Sequence, residues 1–170
     1  MQVIIRPMES SDIEEVVQGW NRSLIYDQVS EERFESVILK DPNHEKGASL
    51  VAICDGRIAG LISAAAREGL GADGRGRPNK EDRGYIKGFF VLEEFRRQGI
   101  GTKLLDEAAK YLKSNGKSNI WVVIYSGNYI FPGVDLRYES GVKFFQNKGF
   151  REDHIIDDMD LDLRLSLIHI

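Results

Sequence analysis

One stretch constrains the fold more than any other: YIKGFFVLEEFRRQGIGTKLLDEAAKYLKSNG, residues 85–116. It opens on a run of β-branched and aromatic residues and closes on a segment that places Leu104, Leu105, Ala108, Ala109 and Leu112 along one helical face. Between the two, Gly99 and Gly101 stand where a strand must turn into a helix that starts near Thr102, and Gly116 is suited to close that helix. A helix entered this way exposes its first backbone N–H groups and the positive end of its dipole, worth about half a charge. With Arg96, Arg97 and the Thr102 hydroxyl alongside, the loop is suited to receive an anion. The plainer alternative is a tight turn flanked by two solvated arginines.

A second glycine loop competes for that role. GLGADG, Gly69 to Gly74, has the spacing of a dinucleotide fingerprint, but it runs into RGRPNKEDRG, where Pro78 and repeated glycine deny the helix that a pyrophosphate needs. The whole segment 67–84 carries charges of both signs and no apolar period, and it reads as a mobile surface loop rather than an RNA-binding Arg-Gly tract.

The flanking sequence alternates strands with helices. MQVIIRP places Val3 and Ile5 on one face of a strand that stops at Pro7, and SSDIEEVVQGW predicts a capping box from Ser11 to Glu14 ahead of Ile13, Val16, Val17 and Trp20. SEERFESVILKD predicts a helix capped by Ser30, with Phe34, Val37 and Ile38 on one side, ending before Pro42. SLVAICDGRIAGLISAA gives two strands joined by Asp55-Gly56, a strong hairpin signal. NIWVVIYS reads as a strand buried on both sides, and GVKFFQNKGF as a short helix ended by Gly149. Together these predict an α/β (α+β) domain over residues 1–165, with a mixed, mostly antiparallel sheet flanked by helices. Residues 166–170 are set apart: they continue the alternation of the tail, and they also read as translated adapter sequence at a truncated end.

Composition narrows the function. A formal net charge of −4 gives no general attraction to nucleic acid or anionic membrane, so anion binding must be local. The single cysteine, Cys54, excludes an internal disulfide, fits a reducing cytoplasmic compartment and reads as a buried structural thiol rather than a nucleophile. His44, His154 and His169 lack metal-ligand spacing. The acidic cluster Asp157 to Asp162 has neither the turn glycine nor the closing glutamate of a calcium loop, and is expected on the outward face of a strand with Met159, Leu161 and Leu163 inward; no metal is expected. No apolar run approaches the ~20 residues that span a bilayer.

Arg96-x-x-Gly99-x-Gly101, after FFVLEEF and before TKLL, resembles the acetyl-CoA-binding motif of the GNAT superfamily of N-acetyltransferases: Arg or Gln, two residues, Gly, one residue, Gly or Ala. IRPMESSDIEEV, VAICDGRIAGLIS, IWVVIYS and FFQNKGF fall where that family has its first strand and helix, its second and third strands, its fifth strand and its last helix. The resemblance implies a pantetheine arm along the backbone of Phe89, Phe90 and Val91, and a pyrophosphate held mostly by the backbone amides of Arg96, Arg97, Gln98, Gly99, Ile100 and Gly101, with Thr102 at the helix start. It implies transfer of an acetyl or related acyl group from acetyl-CoA to an amine, of a small molecule or a peptide, without metal.

Two departures accompany it. Many members carry Tyr four residues before the glycine of the closing Gly-Phe, where this chain has Phe145; the family's earlier Asn is also missing, with Tyr138 in its approximate place after the inserted NYIFPGVDLR. Tyr138 or a water is therefore expected to protonate the leaving thiolate. The FPGVD insertion resembles a subset in which two such domains are joined in one chain, one of them sometimes degenerate, so a second domain or a homodimer is an expected partner, and a CoA-binding domain without turnover is the alternative. Acidic residues of the 157–162 cluster or Asp27 would favour a cationic acceptor.

Overall fold

Pro7 and the Asp55-Gly56 turn set the limits of the first three strands. The computed structural model describes residues 2–67, 82–122, 130–153 and 155. It divides into two compact units, Met1–Asp135 and Leu136–Ile170. In the first, β1 (Val3–Pro7), β2 (Ser49–Cys54), β3 (Arg57–Ala65), β4 (Arg83–Val91) and β5 (Asn119–Val122) form one sheet in the order β1-β2-β3-β4-β5. The first three pairings are antiparallel and β4 with β5 is parallel, so the sheet is mixed and mostly antiparallel, as expected. Asp55 (φ +49°) and Gly56 (φ +78°) are both left-handed, the conformation that matches a two-residue turn to strand twist.

Helices cover both faces, which is why β2 and β3 are buried almost throughout. α3 (Ile100–Ser114) lies on one face, its Leu104 and Leu112 side chains filling the space left by Gly60 and Gly84. α1 (Ile13–Ser23) lies on the other, with Val16 and Trp20 fully buried. The expected start of α1 is corrected. A 3-10 turn, Ser10–Asp12, precedes it, and the Asp12 carboxylate accepts the Glu9 N–H (2.8 Å) together with both ends of the Arg6 guanidinium (2.6 and 2.8 Å). The capping box is thus Glu9 with Asp12, whose carboxylate the bidentate Arg6 of β1 holds, rather than Ser11 with Glu14. Hydrogen bonding to Arg6 also holds the Asp12 carboxyl below its ordinary pKa.

Ser30 caps α2 (Glu31–Phe34) as expected, its Oγ accepting Arg33 N–H at 3.1 Å. The helix then widens into a π turn, Glu35–Leu39, instead of continuing as one α-helix. Trp20 Nε1 donates to the Asp27 carbonyl (2.8 Å), and Asn21 exchanges two hydrogen bonds with the Val29 backbone (2.8 and 2.9 Å), so α1 organises the connection to α2.

Ile120, Trp121 and Val122 of β5 are half-buried rather than buried on both sides; β5 is the last described strand of the sheet, and the Arg83 guanidinium covers the Trp121 ring at 3.9 Å. In the second unit, α4 (Glu139–Asn147) ends at Gly149 (φ +87°), and Phe145 packs edge-on against Phe144 and Phe150. No helix among the described residues is long and apolar enough to cross a membrane. Gly69 to Gly74, His154, Asp157 to Asp162, His169 and residues 166–170 lie outside the described residues.

Candidate functional site

The site is built on an irregularity in β4. Ser63 of β3 stands opposite Gly88 and Ala64 opposite Ile86, which leaves Lys87 as an extra residue in the strand. Such a bulge sends two successive side-chain positions to one face. A Cβ on Gly88 would lie 2.3 Å from the Trp20 ring, so this face belongs to α1. Lys87 points the same way, and its ammonium donates to the Val37 carbonyl and to the Asp41 carboxylate. The sequence reading missed Lys87. The signal available was a lysine beside a glycine inside an otherwise apolar strand.

Beyond the bulge, β4 leads to the loop. Leu92 N–H donates to the Ala59 carbonyl (2.9 Å), so by antiparallel alternation the backbone groups of Phe89 and Val91 face away from β3. The Val91 carbonyl, on that side, receives Arg96 Nε at 2.9 Å. Among the described residues, β5 pairs with β4 from Arg83 to Ile86. Phe90 is 3% exposed, its ring packs on Trp20 and its backbone turns toward β3, so the backbone groups of Phe89 and Val91 are the ones that face away from the pairing.

A 3-10 turn, Glu93–Phe95, then buries Phe95 and brings the chain to Arg96. Arg97 (φ +63°) and Gly99 (φ +79°) are left-handed. Nothing lies within 4 Å of a Cβ placed on Gly99, so the residue serves conformation and not space. α3 starts at Ile100, two residues before the expected Thr102, because the Ile100 side chain is drawn into the core at 1% exposure. Lys103 N–H donates to the Gly99 carbonyl (3.0 Å); the N–H groups of Ile100, Gly101 and Thr102 precede that first helical bond. No side chain caps Gly99 and no acidic residue occupies the first turn.

Within the loop Arg96 turns back onto Val91, and Gln98 Nε2 donates to the Glu94 carbonyl (3.3 Å), so both side chains help shape it, while Arg96, Arg97 and Gln98 are all exposed. What the loop presents is backbone N–H. Glu94 in turn takes Arg22 of α1 (3.2 Å) and Arg57 of β3 (3.5 Å), which brace the loop from behind.

Elsewhere, Lys87 and Asp41 are 6% and 4% exposed. Burial alone would raise the Asp41 carboxyl, but Lys87 and Asn43 outweigh it and hold it low. Burial, then the Lys87 charge, holds His44 below its ordinary value. Cys54 is fully buried, and burial with the neighbouring Asp55 pushes its thiol up, as befits a structural residue. Tyr138 is the N-cap of α4, in the second unit; its carbonyl accepts from Gly141 and Val142. Among the described residues no cluster of His, Cys, Asp or Glu is arranged to hold a metal ion.

The sequence profile of the Acetyltransferase (GNAT) family matches residues 13–130. Among curated proteins the chain is similar to N-alpha-acetyltransferase 60 of Xenopus tropicalis, 25% identical over 127 residues, which are 67% of this chain and 47% of that protein. It is similar also to an N-alpha-acetyltransferase of Sulfurisphaera tokodaii, 25% identical over 111 residues, 65% of this chain and 60% of that one. The chain thus spans about half of the first relative and three fifths of the second. Two solved structures share its fold. One is AAC(6')-Iy in complex with the bisubstrate analogue CoA-S-monomethyl-acetylneamine, with TM-score 0.67, 18% identity and coverage of 95% and 100% of the two chains. The other is Ard1 from Thermoplasma volcanium, with TM-score 0.66, 17% identity and coverage of 91% and 86%. With a family match over most of its length, on a sheet whose fourth strand opens into an uncapped, glycine-led helix, the chain belongs to the GNAT acetyltransferase family.

Proposed function

We propose that the chain is an N-acetyltransferase that moves an acetyl group from acetyl-CoA to the α-amine of a peptide or protein. The observation that carries this reading is the start of α3: a fifteen-residue helix led by left-handed Gly99, with no side-chain cap and no carboxylate in its first turn. Its N–H groups at Ile100, Gly101 and Thr102 suit a pyrophosphate, with Arg97 adding charge and Arg96 and Gln98 holding the loop in shape. The pantetheine arm then follows Phe89, Phe90 and Val91 toward the bulge. The names of the curated relatives support an α-amine acceptor.

The neutral amine attacks the thioester carbonyl, a C–N bond forms, the C–S bond breaks, and the amine's proton is lost as the thiolate gains one. Backbone donors stabilise the oxyanion. Phe145 has no proton to give, and we assign the protonation of the thiolate to Tyr138 or a water. The FPGVD segment begins with Phe131, whose ring packs on Trp20 at 6.0 Å, which supports its being part of the same domain as the sheet. The buried, unpaired Cys54 supports a reducing compartment, the cytoplasm.

Calorimetry of acetyl-CoA and desulfo-CoA on the native chain and on Gly101→Glu tests the donor site. Micromolar binding that the variant loses is the expected result, and no binding to a well-folded native chain would overturn it. Turnover is then read on short peptides differing in their first residue, and on neamine. Acetylated peptide supports the α-amine, acetylated neamine alone moves the acceptor to a small polyamine, and binding without any product identifies a CoA-binding domain. Unchanged kcat in Tyr138→Phe would leave protonation to a water.

A further inference from the structure

Lys87 and Asp41 form a deeply buried ion pair, and neither the donor loop nor the proposed chemistry uses it. Its surroundings are specific. The extra residue of β4 turns Lys87 onto the face where α1 lies, while Gly88 beside it gives its space to Trp20. Across from it, the π turn Glu35–Leu39 offers the Val37 carbonyl, and the chain after the turn offers Asp41. Asp41 also accepts from the Asn43 backbone (2.8 Å) and side-chain amide (3.2 Å), and His44 N–H returns to the Asp41 carbonyl (2.8 Å). One ammonium thus gathers a whole arm, residues 35–44, onto the strand.

Stability alone does not account for such a pair. Replacing a buried ion pair with apolar residues is often neutral or stabilising, so its presence points to a requirement for defined geometry. The position suggests which geometry. Val91 and Lys87 are four residues apart, about 13 Å of strand at about 3.3 Å per residue, so a pantetheine arm of that length running from Val91 toward the start of β4 would bring its thioester end beside Lys87. The donor occupies the loop side of β4, and the arm of residues 35–44 stands on the α1 face at that same level, where an incoming amine needs a wall.

We propose that Lys87 and Asp41 are positioning residues that hold the 35–44 arm on β4 as a wall of the acceptor site, so that amine binding depends on them and acetyl-CoA binding does not. The proposal rests on the acetyltransferase reading, and its test separates the two. In the double variant Lys87→Met/Asp41→Leu, which removes both charges of the pair together, the melting temperature should stay within a few degrees of native, as apolar replacement of a buried pair allows. Its Kd for acetyl-CoA should stay within about twofold, the acceptor KM for the best substrate of the peptide and neamine panel should rise on the order of tenfold, and kcat should change less. Amide exchange in residues 35–44 should quicken by on the order of tenfold while β3 and β4 hold their protection. An unchanged acceptor KM with unchanged exchange in the arm would overturn the proposal, and so would an acetyl-CoA Kd that weakens by the same factor as KM. If the native chain acetylates nothing in the panel, the catalytic reading fails by itself, and the exchange measurement alone decides whether the pair holds the arm: unaltered exchange would refute it.

Discussion

Arg96 reaches back across the loop that it opens, and its Nε donates to the carbonyl of Val91 at 2.9 Å. The contact ties the start of the loop between β4 and α3 back onto the end of the strand. An arginine engaged in this way acts through loop shape rather than through its charge. Arg96→Ala should therefore weaken acetyl-CoA by about tenfold or less, the worth of one ordered hydrogen bond. The ratio of native to variant Kd should be the same at low and high salt, because long-range charge is screened and loop geometry is not. A ratio that collapses in high salt would show that the guanidinium faces the phosphates.

Gly99 separates conformation from space. A side chain there would meet nothing within 4 Å, yet φ is +79°. Asn tolerates the left-handed region and β-branched residues do not. Gly99→Asn should unfold in urea within about 1 kcal/mol of native, whereas Gly99→Val should lose about 2 kcal/mol and bind acetyl-CoA more weakly. Equal effects of the two would mean that bulk at this point of the loop matters, not the backbone angle.

Much of this architecture could be read locally. Pro7, Asp55-Gly56, Gly116 and Gly149 mark ends of elements because each acts on its own dihedral angles, and the apolar faces of α1 and α3 follow from period alone. The turn from β4 through Gly99 into α3 was legible for the same reason: strand, glycine and helix are neighbours in sequence. What escaped depends on partners far along the chain. The β4 bulge exists only relative to Ser63 and Ala64, the cap at Asp12 follows from Arg6 on another element, and the π turn meets the Lys87 ammonium some fifty residues on. The inward turn of Arg96 is likewise a choice of rotamer that composition does not reveal.

Gly88 and Gly84 are both overhung, but by different neighbours. A Cβ at Gly88 would lie 2.3 Å from the Trp20 indole, which is held by the Asp27 carbonyl and packed by Phe34, Phe90 and Phe131. At Gly84 the nearest atom, 2.6 Å away, is a methyl of Leu112, with the leucine Cγ at 3.0 Å. A leucine side chain can change rotamer where a pinned indole cannot. Gly88→Ala should cost about 3 kcal/mol and Gly84→Ala about 1 to 2, both read as urea midpoints at constant slope. The reverse order would mean that Trp20 has room to shift.

His44 supplies a prediction in pH. Burial, and after it the Lys87 charge, hold the imidazole below its ordinary value of 6.5, with Asp41 opposing. A folded-state pKa below the unfolded one means that the unfolded chain binds the proton first. The contribution of His44 to stability is therefore complete above pH 6.5 and is lost as pH falls from there through the depressed folded value. Denaturation midpoints of the native chain should fall between pH 7 and about 5 more steeply than those of His44→Gln, the two curves running parallel above pH 7. Because the Lys87 charge contributes to the depression, part of the steepness should also disappear in Lys87→Met/Asp41→Leu, less whatever Asp41 restores by its own removal. Parallel curves for native and His44→Gln across the whole range would place the imidazole in solvent, detached from the arm that Lys87 holds.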